Sequence, residues 1–198
     1  MNEEQTAVLA EIRTKLELLE RIQAEHRFDV LLEEGGELEP VPGLPDGIVE
    51  VFSLFSRLRG TDFLFLRPAD IASPQAWAER EIDPHCPLGA PLCIGYEQHG
   101  MPEPMDAGNH SIFLDTDDGS VYTCDPDDYV FAYKSVDEEV ETRDLAPDVL
   151  TFVNDSVLGG GYPLLVDSFL GPGAADRRDR KGRHRDSWMR LLVAAGAV

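Results

Sequence analysis

The chain has 198 residues, 42% of them apolar, and a formal charge of −21 at pH 7. That length and apolar content suit one hydrophobic core, while the charge repels nucleic acid and anionic membranes at long range and favours basic partners. No stretch reaches the roughly 18 consecutive apolar residues of a membrane span, and the acidic start Met1 to Thr6 is unlike a secretory signal, so a cytoplasmic protein is expected.

Leu9, Ile12, Leu16, Leu19 and Ile22 recur at steps of three and four, which predicts an amphipathic helix over residues 2–26 with Glu3, Glu4, Glu11 and Glu17 off the apolar face. Glu33-Glu34-Gly35-Gly36-Glu37, followed by Glu39, Pro40, Pro42 and Pro45, reads as an exposed acidic loop. A second helix is expected from Pro45 to Gly60, turning Ile48, Val51, Phe52, Phe55 and Leu58 inward. Phe63 to Leu66 is a short apolar run that predicts a strand buried on both sides, and Ser73-Pro74 caps a short helix carrying Trp77.

From residue 91 the pattern turns to β, with strands expected at Leu92 to Tyr96, Ser111 to Thr116, Val121 to Cys124 and Tyr129 to Tyr133. Asp117-Asp118-Gly119 predicts a tight hairpin. A three-residue loop with Gly119 left-handed pairs Leu114 with Tyr122 and Ile112 with Cys124 on one apolar face; a two-residue Asp118-Gly119 loop pairs Leu114 with Thr123 and is disfavoured. Asp144 is expected to cap a last core helix that buries Leu145, Val149, Phe152, Val153 and Val157 and stops at Gly159. Beyond it, Leu164 to Val166 and Phe169-Leu170 are apolar enough to pack. Residues 177–190 hold Arg177, Arg178, Arg180, Lys181, Arg183, Arg185 and Arg190, which reads as a solvated basic linker before a short terminal helix with Trp188, Leu191 and Leu192 on one face. The chain thus divides into residues 1–43 (helix and acidic loop), 44–170 (an α+β core, an antiparallel meander sheet packed against helices) and 171–198 (basic linker and terminal helix). Removal of the chain after Gly173 is expected to leave the core intact.

Three features in succession resemble the SUKH superfamily, the Smi/Knr-type domain of many bacterial immunity proteins. They are Leu44-Pro45-Asp46 leading into a helix that ends near Gly60 before Phe63-Leu64-Phe65, the hairpin Phe113-Leu114-Asp115-Thr116-Asp117-Asp118-Gly119-Ser120-Val121-Tyr122, and the capped helix after Asp144. The likeness spans roughly residues 44–158. Gly60 stands alone where many members have a Gly pair, and the N-terminal helix and the tail after 158 are additions. The resemblance implies an α+β protein that neutralises a toxin, often a nuclease, by binding it directly, with no catalytic residues; no cofactor is expected.

The chemistry-bearing residues agree with a binding role. Asp115, Asp117, Asp118, Asp125, Asp127 and Asp128 do not fit a calcium loop, since a count from Asp115 places Gly119 fifth and Pro126 last. His85, Cys86, Cys93, His99, His110 and Cys124 lack the paired spacing of a zinc site, and three scattered cysteines read as reduced core thiols. No nucleophile elbow or phosphate loop is present. The acids are therefore the candidate protein-binding surface: Glu33, Glu34 and Glu37; Asp115, Asp117 and Asp118; Asp125, Asp127 and Asp128; and Asp137, Glu138 and Glu139. The expected partner is a basic toxin domain. A regulatory or scaffolding module of the same fold is the alternative, and a carboxylate-dependent hydrolase is a more distant one.

Overall fold

The computed structural model describes residues 1–98, 110–134 and 140–198. Seven strands form one antiparallel sheet in chain order, β1 (Leu31–Glu34), β2 (Phe55–Arg59), β3 (Phe63–Leu66), β4 (Leu92–Glu97), β5 (Ser111–Leu114), β6 (Val121–Cys124) and β7 (Thr142–Ala146). This is an α+β meander packed against helices. Side chains alternate across each strand, so Phe63, Phe65, Ile112, Leu114 and Val121 enter the main core while Leu64, Phe113, Tyr122 and Cys124 take the other face.

Helices cover the core face. The first, α1 (Glu3–His26), starts at a capping box in which the Asn2 side chain accepts from the Gln5 N–H, and it buries Ile12, Leu16 and Leu19. Beside it lie α2 (Ile48–Leu54), α5 (Val149–Thr151), which runs on as a π turn over Phe152–Val157, and α6 (Tyr162–Leu170). The Lys15 ammonium donates to the Asn154 carbonyl and side-chain oxygens at 3.0 and 2.9 Å, fastening α1 to the π turn. Between β3 and β4, α3 (Pro74–Glu79) begins at Ser73, whose hydroxyl accepts from the Ala76 N–H at 3.1 Å, and its Trp77 packs against the main core; α4 is Pro126–Lys134.

Several sequence expectations are corrected. The second helix stops at Leu54, and Phe55 to Arg59 is strand β2. A bulge at Ser56, where Glu33 opposes Arg57 and Glu34 opposes Phe55, turns Phe55 and Leu58 to the same side and so imitates a helical repeat. Glu33 and Glu34 belong to edge strand β1 and not to a loop. Tyr129 to Tyr133 is helical: the Asp125 carboxylate accepts from the Asp127 N–H at 2.8 Å and its carbonyl from the Tyr129 N–H at 3.0 Å, a cap that outweighs the β propensity of the aromatics. Asp144 lies in β7, and the cap of the helix that follows is Asp148, which accepts from the Thr151 N–H at 2.8 Å. Pro147 between them holds Ala146 extended and so separates strand from helix.

The hairpin differs from both expected registers. Leu114 pairs with Val121, Phe113 with Tyr122 and Ile112 with Thr123, because Thr116 to Gly119 form a four-residue loop in which the Asp115 N–H donates to the Ser120 carbonyl at 2.9 Å and the Gly119 N–H to the Asp115 carbonyl at 3.1 Å. Gly119 is left-handed as expected, with φ 81°. A Cβ there would also lie 3.3 Å from the Pro45 Cβ. Gly119→Val is therefore expected to cost about 1 kcal/mol or more, read as a lower urea midpoint; an unchanged midpoint would contradict the strained turn.

The largest correction concerns the tail. Residues 171–198 are no appendage: α7 (Ser187–Ala194) inserts Trp188, Met189, Leu191 and Leu192 into the main core, each at most 1% exposed. The basic segment before it is an ordered excursion. Arg178 and His184 form a β-bridge, and the Asp179 carboxylate accepts from the Arg183 guanidinium at 2.7 and 2.9 Å and from the Lys181 N–H at 2.8 Å. Among the described residues no single helix is long and apolar enough to cross a membrane.

Candidate protein-binding surface

The expected surface acids are not one patch. Antiparallel alternation puts the ends of β1 and β5 at the same end of the sheet, with Glu34 and Glu37 after β1 and Asp117 and Asp118 after β5. Asp125, Asp127 and Asp128 follow β6 at the opposite end, roughly 15 Å from the hairpin tip. β1 is also five strand spacings from β6, or about 24 Å. Asp137, Glu138 and Glu139 lie outside the described residues.

Many of these acids have local structural work. Asp115 accepts from the Asp117 and Asp118 N–H groups at 2.7 and 3.4 Å, and Asp118 from the Ser120 N–H at 2.8 Å, so both shape the turn. The Ser120 side chain and N–H hold the Asp118 carboxyl below the usual carboxylate range. Asp125 is the cap of α4. Glu33 lies 3.8 Å from the Arg57 guanidinium, and the Ser56 hydroxyl reaches it at 3.5 Å. Asp117, Asp127 and Asp128 are exposed.

One place gathers carboxylates from several elements. Glu34 and Glu37 face Glu17 and Glu20 of α1 across a groove of about 440 Å³ whose floor includes Leu16 and Leu54; among the described residues lining it Arg13 is the only cation. The chain from Glu34 to Glu37 is held in place there. The Gly35 N–H donates to the Leu54 carbonyl at 3.3 Å, and the Gly35 carbonyl accepts from the Arg67 guanidinium at 2.9 Å. All four glutamates are exposed, so an approaching cation meets them without first breaking a buried network. The sequence signals Glu34 and Glu37. It hides Glu17 and Glu20, which read only as the solvent side of an amphipathic helix.

A second constellation is absent from the sequence reading because its members are far apart in the chain. Asp186 is buried at the start of α7, and its carboxylate accepts from the N–H groups of Thr61, Trp188 and Met189 at 3.0–3.1 Å and from the Tyr162 hydroxyl at 2.8 Å. Burial first, and the Asp186 charge second, push the Tyr162 hydroxyl well above its ordinary pKa. Nearby Asp62 is pushed up to about 6, first by burial, then by Asp186, with Arg177 opposing and Glu97 adding to the rise. A carboxyl that binds a proton near neutral pH, as Asp62 does, has the property of a general acid; Asp186 beside it accepts four hydrogen bonds and anchors α7 to the β2–β3 turn. Cys124 is buried, and burial together with Asp125 and Asp128 pushes its thiol up to about 11, keeping it protonated. Among the described residues no three His, Cys, Asp or Glu side chains come together closely enough to hold a metal ion. Compared with known families, curated proteins and solved structures, the chain matches none.

Proposed function

We propose that the protein is a SUKH-like immunity protein of the cytoplasm, which neutralises a cognate toxin by placing its acidic groove on a basic surface of that toxin. The observation that carries this reading is the convergence of Glu17 and Glu20 of α1, Glu34 of β1 and Glu37 in the segment after it around one groove. The net charge of −21 and an α+β fold of the class that the SUKH resemblance implies support it further. Four carboxylates in a concave, partly apolar setting focus field lines on an incoming cation and raise its association rate.

Association is therefore expected to be fast at low ionic strength and to slow steeply as salt is added, since at ~0.15 M charge effects reach only about 8 Å. Reversal of Glu17, Glu20, Glu34 and Glu37 to Lys should lower the association rate at least tenfold, whereas reversal of Asp127 and Asp128 at the far end of β6 should change it far less. Stopped-flow binding to the purified toxin domain, with thermal unfolding as the control for folding, makes the comparison. Equal association rates for wild type and the groove variant at low salt would remove the groove from the interface.

A further inference from the structure

The sheet face away from the main core carries a second, smaller concavity of about 240 Å³, under the chain that joins α3 to β4. Its floor is apolar and aromatic: Phe113 and Cys93 rise from the sheet and Tyr129 closes the side from α4. Its rim is acidic, with Asp70, Glu81 and Asp83. One cation, Arg80, also lines it, but the Arg80 guanidinium lies 3.3 Å from the centre of the Trp77 ring and is engaged there. Asp83 is fixed in place, accepting from the His85 N–H at 2.9 Å and the Tyr133 hydroxyl at 2.8 Å, and these two bonds hold it below the usual carboxylate range. Tyr129 stacks on Tyr133 with ring centres 6.1 Å apart, and its hydroxyl meets the Cys86 sulfur at 3.8 Å.

Size and chemistry together select an occupant. Sites for drug-sized ligands run from about 300 to 1,000 Å³, so this one suits a single side chain. An aromatic floor attracts a cation through its ring faces, apolar walls take an alkyl stem, and a carboxylate rim pairs with the charged head. Arginine meets all three better than lysine, because its planar guanidinium both stacks on rings and forks onto carboxylates. We propose that this cleft is the anchor site for one arginine side chain of the partner protein. The proposal rests on the reading that the partner is basic, and it adds a second contact on the face opposite α1.

The test uses the full chain and a probe that requires no knowledge of the partner. Nα-acetylarginine amide is titrated into ¹⁵N-labelled protein, with Nα-acetylnorleucine amide as an uncharged control of similar stem. Saturable shifts centred on Cys86, Phe113 and Tyr129, with a dissociation constant on the order of millimolar as one side chain allows, are expected for the arginine probe. The norleucine probe should bind at least threefold more weakly, and the doubly substituted Asp70→Asn, Glu81→Gln protein should lose most of the difference. Both substitutions are at positions that are not buried, and an unchanged amide spectrum reports that the fold is kept. Equal binding of the two probes, no saturable shift in the cleft, or shifts centred instead on Glu17 and Glu34 would each overturn the cleft. The last of these outcomes would leave the acidic groove and its basic partner standing, while cleft binding without any groove effect on toxin association would do the reverse.

Discussion

Truncation after Gly173 is expected to abolish cooperative unfolding. The deletion removes Trp188, Met189, Leu191 and Leu192, all but inaccessible to solvent. At about 1.5–3 kcal/mol for each large apolar side chain buried, the loss is on the order of 6–12 kcal/mol, comparable with the whole stability of a domain at about 5–15 kcal/mol. It also strands polar groups. The Trp188 indole N–H donates to the Val157 carbonyl at 2.9 Å, and the buried Tyr162 hydroxyl loses its acceptor, Asp186. Trp188→Ala alone should cost about 3–5 kcal/mol. Gly60→Ala should disturb the same joint from the other side, because a Cβ at Gly60 would stand 2.5 Å from the Trp188 Cβ. Urea unfolding followed by far-UV circular dichroism decides the matter; a truncated protein with a sharp transition would show that α7 is dispensable.

The second large effect is on the pH dependence of stability. Asp62 titrates near 6 in the folded protein, above the ordinary 3.8, with burial as the main cause and the charges of Asp186 and Glu97 behind it. A raised carboxyl means that the folded state binds a proton the unfolded chain has released, so the associated stability is fully present below about 4 and is lost as pH rises through about 6. Ionised Asp62 then costs the fold about 1–2 kcal/mol, after allowance for the solvent that still reaches the group. Exposed acids held below their ordinary range, such as Asp179 at about 2, act in the opposite sense and only at lower pH. Asp62→Asn isolates the contribution: the variant should match wild type near pH 4 and exceed it at pH 7.5. Parallel stability profiles for the two proteins from pH 4 to pH 8 would contradict the assignment.

The parts of this fold that were legible in the sequence are those fixed by neighbours in the chain. The apolar repeat of α1, the Ser73 cap of α3 and the apolar run of β3 each carry their own signal, and each element forms where expected. β2 was hidden because the bulge at Ser56 gives Phe55 and Leu58 a helical spacing, and α4 because the aromatics at 129 and 133 suggest a strand when Asp125 is not recognised as a cap. The place of α7 could not be read locally at all. Asp186 finds the Thr61 N–H from 125 positions away and the Tyr162 hydroxyl from 24, so a run of arginines beside it suggested a solvated linker. The acidic surface was half legible for the same reason: Glu34 and Glu37 stand out as a charged run, but only the packing of α1 against α2, α5 and α7 brings Glu17 and Glu20 to face them.

A binding protein and a catalyst differ most plainly in stoichiometry. If the protein acts by occupying its toxin, addition of increasing amounts to a fixed quantity of active toxin should lower the toxin's activity in proportion to the molar ratio and reach its floor at one equivalent. The inhibition should be independent of incubation time and should be weakened by added salt or by reversal of the groove glutamates. Loss of toxin activity at well below one equivalent, growing with time, would mean that the protein modifies or degrades its target and would contradict neutralisation by binding.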